Sequence, residues 1–386
     1  MIAGMEQPHE DAGGPLTGVR VVELGGLGPG PFGGMLLTDL GADVIRIDRA
    51  PAPGGAPAGD PRGAVTERGK RSVTLDLKDP DDLDVARRLI DRADVLIDPY
   101  RPGVAERLGL GPDDCLARNP RLIYARMTGW GQSGPLASAS GHDLNYIALA
   151  GALYPMGDPQ APPPPPLNLV GDYGGGGMLL GFGIACALFE RERSGLGQVV
   201  DVAMLDGVAT LLASLCQLDA QGAWSRERGT NWLDGAAPWY RAYRTADERF
   251  VTVGALEGKF YGLLLEALGL DEHAWPQWDR ARWPALHAEL ERRFAQRTLD
   301  EWRADLEGTD ACFAPVLRVD EAVDHPHVAA RGVYVERDGV LQPSPSPRFH
   351  RTPGAIQGPP PQPGEHTDAV LAEVLGEHPT PTTEHR

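Results

Sequence analysis

The chain reads Val19-Arg20-Val21-Val22-Glu23-Leu24 and then turns through Gly28-Pro29-Gly30-Pro31-Phe32-Gly33. The first run is rich in β-branched residues and leads into glycines, which is typical of a strand that ends in a tight turn. Residues 31–40 then predict a helix, and residues 42–48 predict a second strand. A strand, a helix and another strand in this order indicate a parallel sheet.

The same alternation continues as far as residue 218. Strands are predicted at residues 73–77, 95–97, 122–127 and 199–202, the last of them buried, and apolar helices at residues 175–191 and 206–218. Leu83, Ala86 and Ile90 fall on one face of a further helix. We therefore predict an α/β fold, with a Rossmann-like parallel sheet in a large domain of residues 15–222.

A different pattern begins after Gln221. Residues 240–243 and 250–253 flank a polar turn and predict a β-hairpin, and helices are predicted at residues 259–268 and 283–294. These elements predict a small α+β domain of residues 226–324, after which residues 325–360 return to the large domain. Residues 1–14 and 361–386 are assigned to tails, and the Pro-, Gly- and Ala-rich residues 51–70 to a surface loop.

The chain of 386 residues carries a net charge of -18, from 54 acidic and 36 basic residues. Such an excess of acids disfavours nucleic acid and anionic membranes as partners. Residues 1–14 show no apolar leader, no long uncharged span is apparent, and the last residues are not a peroxisomal address. We expect a cytoplasmic protein.

The four cysteines lie in or beside apolar helical runs and form no Cys-x-x-Cys pair; they are Cys115, Cys186, Cys216 and Cys312. This spacing predicts buried free thiols in a reducing compartment. His325 and His327 form a close pair without a third ligand at a suitable spacing, so no metal site is predicted.

The turn at residues 28–33 also fits the Gly-x-Gly-x-x-Gly pattern of dinucleotide-binding proteins, with Asp48 about twenty residues on. In that pattern backbone N–H groups hold the pyrophosphate, and Pro29 and Pro31 have no N–H to donate. Arg49, directly after Asp48, suits a phosphate better than a free ribose. An NAD-dependent oxidoreductase stays an alternative on the pattern alone.

Two glycine-flanked segments further along carry chemically active groups: Gly141-His142-Asp143-Leu144-Asn145-Tyr146 and Leu169-Val170-Gly171-Asp172-Tyr173-Gly174-Gly175-Gly176-Gly177. A reaction that takes a proton from one face of a carbon and returns it to the other needs two such groups. Taken singly, His142 also fits a surface residue and Asp172 a helix N-cap. Four consecutive glycines are costly at a helix start, however, and indicate close approach of a ligand to the backbone.

Together with residues 16–24 and Gly28-Pro29-Gly30-Pro31, these segments closely resemble the α-methylacyl-CoA racemases, the racemase branch of the family III CoA-transferases. The resemblance runs from about Pro15 to about Arg351. It implies a Rossmann-like lobe that binds coenzyme A, and interlocked homodimers with active sites between the large domain of one subunit and the small domain of the other. It implies no cofactor and no metal, because the substrate is itself a thioester of coenzyme A.

The resemblance also implies roles for single residues. His142 and Asp172 match the acid/base pair, and Glu257 matches the glutamate that orients the histidine. Gly141, Asp143 and Tyr146 match positions at the thioester site, with the Asp143 N–H as an oxyanion donor. The other matched positions hold the phosphates and adenosine of coenzyme A: Arg49, Leu75, Asp76, Leu77, Lys78, Tyr100, Arg101 and Arg107.

We therefore predict interconversion of (2R)- and (2S)-2-methylacyl-CoA thioesters by proton transfer through an enolate. A CoA-transferase, in which Asp172 attacks the acyl-CoA and carries a mixed anhydride, is an alternative. The transferases of this fold generally carry an aromatic residue where this chain has His142. A third alternative is a racemase-like enzyme that acts on a different acyl-CoA substrate.

Overall fold

The structure is a computed structural model and describes residues 13–49 and 61–376. These residues divide into two compact units. The first comprises residues 13–150, 166–211 and 332–376, and the second comprises residues 151–165 and 212–331. Most of the tail predicted at residues 1–14, residues 51–60 of the predicted loop and residues 377–386 lie outside the described residues.

Six strands form a wholly parallel sheet in the first unit: β1 (Arg20–Leu24), β2 (Asp43–Asp48), β3 (Arg71–Thr74), β4 (Val95–Asp98), β5 (Ile123–Thr128) and β6 (Gln198–Ala203). They lie in the order β3-β2-β1-β4-β5-β6, which is that of a Rossmann sheet and confirms the predicted fold class. β1 pairs with β2 and β4, so that Val22 lies beside both Ile45 and Leu96.

Helices cover both faces of this sheet. They are α1 (Pro29–Asp39), α2 (Pro80–Ile90), α3 (Val104–Arg107), α4 (Pro112–Arg118), α5 (Asp143–Leu149), α6 (Leu179–Ser194) and α7 (Met204–Leu211), with 3-10 turns at Pro61–Gly63 and Val65–Glu67 and a π-helical segment, Leu169–Met178, directly before α6. Successive residues of β1 point to opposite faces. Val21 therefore packs in one core with Ile184 of α6, and Val22 in the other core with Leu89 of α2.

The second unit is an α+β domain. Its elements are α8 (Ala213–Ala220), β7 (Tyr240–Arg244), β8 (Phe250–Gly254), α9 (Gly258–Ala267), α10 (Trp283–Phe294), α11 (Leu299–Leu306), β9 (Phe313–Pro315), α12 (Val319–Ala322) and α13 (Pro326–Ala330), with 3-10 turns at Glu272–Ala274 and Arg280–Arg282. The three strands form an antiparallel sheet that includes the predicted hairpin. Aromatic rings fill its core: Phe294 lies 5.2 Å from Tyr243 and 5.1 Å from Trp302, measured between ring centroids.

The C-terminal segment belongs to the first unit and extends further than predicted. It forms a hairpin of β10 (Tyr334–Arg337) and β11 (Val340–Pro343), and later α14 (Thr367–Val370), which runs into a π-helical turn at Leu371–Leu375. The N–H of His366 donates to the carbonyl oxygen of Ser72 in β3 at 2.9 Å. Val370 and Val374 are buried in the core that contains Val22. Residues 361–376 are therefore not a tail, because their apolar side chains complete that core.

Residues 151–165 belong to the second unit, not to the large domain as predicted. The guanidinium of Arg228 donates to the carbonyl oxygens of Met156 and Asp158, both at 2.9 Å, which ties this segment to the loop before β7. The helix predicted at residues 206–218 is also divided. It forms α7 and α8, with Leu212 between them.

Several predictions of burial are wrong. β6 is an edge strand with a neighbour on one side only, and its first residues are exposed. Arg68 and Lys70, assigned to a surface loop, are buried because Asp39 pairs with Arg68 and Glu23 with Lys70. All four cysteines are free thiols, but Cys186 and Cys216 are exposed and Cys312 is half-buried; Cys115 is buried as predicted.

One helical run, Leu169–Ser194, is long and apolar enough to cross a membrane by length and composition. This differs from the expectation that no such span occurs. Of the most apolar 18 consecutive residues in this run, 39% are buried within the structure. Leu180 and Ile184 belong to the core on one face of the parallel sheet, so this run is a core helix of the first unit.

Candidate active site

A cleft of about 290 Å³ lies at the carboxyl ends of β1, β4 and β5, where the strand order reverses. The turns that follow these strands line it: residues 27–30 after β1, Pro99 and Arg101 after β4, and residues 128–130 at the end of β5. Open α/β sheets bind their ligands at this position. His142 and Asp172 both line the cleft.

His142 is the N-cap of α5 and has an extended backbone. Its N–H donates to Oδ1 of Asn145 at 3.0 Å, and its carbonyl oxygen accepts the N–H of Asn145 at 2.8 Å. The imidazole is exposed and lines the cleft. The backbone is thus held in place while the ring is available to a substrate.

Asp172 lies in the first turn of the π-helical segment and is not an N-cap. Nδ2 of Asn168 donates to its Oδ2 at 3.5 Å. A Cβ atom at position 28 would lie 3.4 Å from the same oxygen, and Gly28 has a φ of 70°, in the left-handed region. Glycine therefore lets the turn before α1 pass beside the carboxyl group.

Burial raises the pKa of the Asp172 carboxyl above its ordinary value. The hydrogen bond from Asn168 opposes this change, the nearby Asp143 carboxylate adds to it, and His142 opposes it. A raised pKa keeps more of the carboxyl group protonated towards neutral pH, which suits a group that must both donate and accept a proton.

Asp143 links the segments that carry His142 and Asp172. It is the first residue of α5, is buried, and its Oδ2 accepts the N–H groups of Gly171 and Asp172, both at 2.7 Å. A Cβ atom at position 171 would lie 2.5 Å from this oxygen, so only glycine fits there. Its own N–H, at the first helical position, has no intrahelical acceptor and is available as the predicted oxyanion donor.

Cβ atoms on the glycine run at residues 174–177 would meet neighbouring helices. A Cβ atom on Gly175 would lie 2.8 Å from the nitrogen of Val208 in α7. One on Gly177 would lie 2.8 Å from the carbonyl oxygen of Pro29 in α1. Helix packing therefore accounts for these glycines, and approach of a ligand to their backbone stays a prediction. The glycines allow the π-helical segment to pack against α1 and α7, which fixes the position of Asp172.

Tyr146 and Trp130 form an aromatic wall of the cleft, with edge-to-face rings whose centroids are 4.7 Å apart. The Tyr146 hydroxyl donates to the carbonyl oxygen of Gly141 at 2.5 Å. Cβ atoms at Gly129 and Gly141 would lie 2.1 Å and 2.8 Å from the Tyr146 ring. These two glycines therefore make room for the tyrosine that the resemblance places at the thioester site.

A second cavity of the first unit, of about 400 Å³, collects most of the positions assigned to coenzyme A. Its lining includes Arg49, Leu75, Asp76, Leu77, Lys78, Tyr100 and Arg107. Arg101 instead lines the cleft with His142, and its Nη2 donates to Oγ of Ser140 at 2.9 Å. Residues 99–102 contribute to both linings, so one loop connects the cavity to the cleft.

Sequence reasoning missed the residue that supports this loop. Asp98, the last residue of β4, is fully buried. Its Oδ1 accepts the N–H of Tyr100 at 2.9 Å, and its Oδ2 accepts the hydroxyl of Tyr124 at 3.1 Å. Burial raises the pKa of the Asp98 carboxyl. An acidic residue at the end of an otherwise apolar strand, directly before Pro99, is the pattern that could have identified it.

Glu257 lies in the second unit, as the N-cap of α9. Its carboxylate is exposed and makes no hydrogen bond or ion pair with a described residue. It is not part of the cleft lining, all of which belongs to the first unit.

Within residues 13–49 and 61–376, no three or more His, Cys, Asp and Glu side chains are grouped to hold a metal ion. His325, one of the close histidine pair, contacts a glutamate instead. Its Nε2 lies 2.5 Å from Oε1 of Glu307.

The chain is similar over most of its length to two mammalian enzymes. It is 46% identical to the alpha-methylacyl-CoA racemases of Mus musculus and Homo sapiens, over 361 and 366 residues that cover 93% of both chains in each case. It is 32% identical over 387 residues to the succinyl-CoA–D-citramalate CoA-transferase of Chloroflexus aurantiacus, with 94% of both chains covered.

Solved structures share the architecture. A CAIB/BAIF family protein from Brucella suis matches with a TM-score of 0.79 and 29% identity, covering 94% of this chain and 100% of that one. The sequence profile of CoA-transferase family III matches residues 16–367, a range that includes the parallel sheet, His142, Asp172 and the second unit. The chain belongs to CoA-transferase family III.

Proposed function

We propose that this protein is an α-methylacyl-CoA racemase, which interconverts (2R)- and (2S)-2-methylacyl-CoA thioesters. The observation that carries the proposal is the pairing of His142 and Asp172 in one cleft. The identity of 46% to two racemases supports it. The cleft offers an imidazole and a carboxyl group, one for each face of the substrate's α-carbon.

The proposed reaction consists of two proton transfers, with an enolate as the intermediate. The thioester carbonyl acidifies the α-proton, so in one direction His142 removes that proton while protonated Asp172 delivers its own to the opposite face. In the other direction the two residues exchange roles. The raised pKa of the Asp172 carboxyl supports this use. The Asp143 N–H donates to the enolate oxygen, and the scheme uses no metal ion or further cofactor.

We also propose that coenzyme A binds along the cavity lined by Arg49, Lys78 and Arg107. Its three cationic side chains suit phosphate groups, which an acidic protein otherwise repels. The loop at residues 99–102 then directs the thioester from this cavity to His142 and Asp172.

A homodimer completes the proposal, with Glu257 of one subunit orienting His142 of the other. The Glu257 carboxylate supports this role, because it is exposed and has no partner among the described residues. Met178, Phe182 and Phe189 fall on one face of the long helix and are 52%, 66% and 69% exposed. An exposed apolar stripe of this kind is typical of a surface that is buried on association.

The test is deuterium incorporation at C2 of a 2-methylacyl-CoA, resolved by epimer, in heavy water without an acceptor acid. Both His142→Ala and Asp172→Ala should lose racemisation, because delivery to the opposite face needs both groups. Each should still exchange deuterium on one face, through the base that remains. The two variants should therefore label opposite epimers.

A CoA-transferase, as the relative from Chloroflexus aurantiacus is named, would give a different pattern of losses in these variants. Asp172→Ala would abolish transfer of CoA to an acceptor acid, His142→Ala would change little, and C2 would stay unlabelled. A His142→Ala enzyme that racemises at the wild-type rate contradicts the racemase proposal.

A further inference from the structure

The second unit contains a cavity of about 840 Å³ that the proposed reaction does not use. Its walls come from residues 157–159, the loop before β7, β7 itself and the start of α10. All of these residues belong to the second unit, and none is assigned to catalysis or to coenzyme A. The volume lies within the range of small-molecule sites.

Arg241 and Arg280 line this cavity and form no ion pair with a carboxylate of the described residues. Nη1 of Arg241 donates to the carbonyl oxygen of Gly235 at 3.0 Å, and its buried Nε has no partner among the described residues. The Arg280 guanidinium lies 5.5 Å from the centre of the Trp283 ring and makes no hydrogen bond with a described residue. Both side chains therefore keep donors for a ligand.

The two acidic residues of the lining are already hydrogen-bonded within turns. Asp234 accepts the backbone N–H groups of residues 229–231. Oδ1 of Asp158 accepts the N–H of Gln160 at 2.8 Å. These donors offset the carboxylate charges, so the acids compete less with a bound anion for the arginines.

The rest of the lining is mainly apolar, with Trp283, Pro284 and Pro159 as its largest apolar side chains. Burial, followed by the neighbouring Arg241, lowers the pKa of His287, while Glu291 opposes this effect. His287 is therefore largely neutral at neutral pH and offers one donor and one acceptor. The lining combines two arginines with an aromatic wall.

We propose that this cavity binds a small organic anion. Its carboxylate or phosphate group is held by Arg241 and Arg280, and its apolar body lies against Trp283. The inference does not rest on the racemase proposal, because the cavity and its arginines lie wholly within the second unit.

Isothermal titration calorimetry on the full chain tests this with phenyl phosphate, phenylacetate and the neutral phenylacetamide. Saturating coenzyme A is present to occupy the cations of the first unit. At least one of the two anions should bind saturably, and the tighter one identifies the head group. Phenylacetamide should bind at least about tenfold more weakly than that anion, as expected when a charge-assisted contact is lost.

Arg241→Gln and Arg280→Gln should each weaken binding of the tighter anion about tenfold. The matched control is Arg244→Gln, which removes an exposed arginine of β7 that pairs with Glu248 outside the cavity. If Arg241→Gln disturbs folding, Arg280→Gln still tests the proposal, because Arg280 is exposed. The proposal is overturned if neither anion binds, if the amide binds as tightly, or if Arg244→Gln weakens binding as much.

Discussion

One side chain joins the two segments that carry His142 and Asp172. Asp143 neighbours His142 in the chain, yet its carboxylate holds N–H groups 28 and 29 residues away, at Gly171 and Asp172. An acid in the first turn of a helix is expected from the helix dipole alone. The sequence therefore indicates the residue but not its long-range contact, which depends on how α5 and the π-helical segment pack.

Asp143→Ala should lower kcat about ten- to hundredfold, because two backbone N–H groups lose a charged acceptor worth about 1.5–3 kcal/mol. Asp143→Asn retains an acceptor oxygen and should recover most of the rate at the optimal pH. Steady-state racemisation kinetics on both variants check this. Equal losses in the two variants would argue that the hydrogen bonds to Asp172 do not matter.

Asp143→Asn also removes a charge that raises the pKa of the Asp172 carboxyl. The racemisation direction that starts from protonated Asp172 loses rate as the pH rises through that pKa. With the pKa lowered, this loss should begin at a lower pH in the variant than in the wild type. The pH–rate profile in each direction measures the shift, and an unchanged alkaline limb would contradict the assignment.

Arg101 and Arg107 should contribute to substrate binding from different places, the first in the cleft and the second in the coenzyme A cavity. Replacing either by Ala should weaken binding of an acyl-CoA by about 1.5–3 kcal/mol. Arg118→Ala is the control, since Arg118 pairs with Asp91 and lines neither site. Calorimetry measures the Kd of the acyl-CoA for each variant. Unchanged Kd values in all three of Arg49→Ala, Arg101→Ala and Arg107→Ala would refute the proposed coenzyme A site.

At the scale of elements, the parallel core follows from local patterns. The predicted helix at residues 31–40 is α1, and the strand at 42–48 is β2, because β-branched runs and glycine turns determine them locally. The division between α7 and α8 has no such marker, since residues 210–214 contain no Gly or Pro. The π-helical form of residues 169–178 likewise cannot be predicted from the sequence. Packing against α1 and α7 stabilises it, as do the hydrogen bonds that the N–H groups of Gly171 and Asp172 donate to Asp143.

A pair of matched substitutions tests this packing. Gly175→Ala should lower stability by about 1–3 kcal/mol and reduce activity, because its Cβ would lie 2.8 Å from the backbone of α7. Gly181→Ala lies in α6, where the nearest atom would be 3.9 Å away, and should raise stability by about 0.5–1 kcal/mol. Thermal unfolding and racemisation rates compare the two. Similar effects at both positions would mean that the contact with α7 is unimportant.

At the scale of the whole molecule, the proposed dimer places His142 and Glu257 of one active site on different subunits. A mixed dimer of a His142→Ala subunit and a Glu257→Ala subunit then contains one intact site and one doubly altered site. Co-expression of the two variants should give more activity than either variant alone. If both residues came from one subunit, every site in the mixture would carry one substitution and no activity would be recovered.

The C-terminal helix α14 has a consequence for how this protein is made on the ribosome. The strands from β1 to β5 are complete by Thr128, but Val370 and Val374 fill the same core as Val22. During synthesis, the edge of the sheet at β3 therefore stays uncovered until residues 366–374 have been translated. An open strand edge beside apolar surface is prone to aggregate. The nascent chain is thus expected to need a chaperone at this edge until α14 has formed.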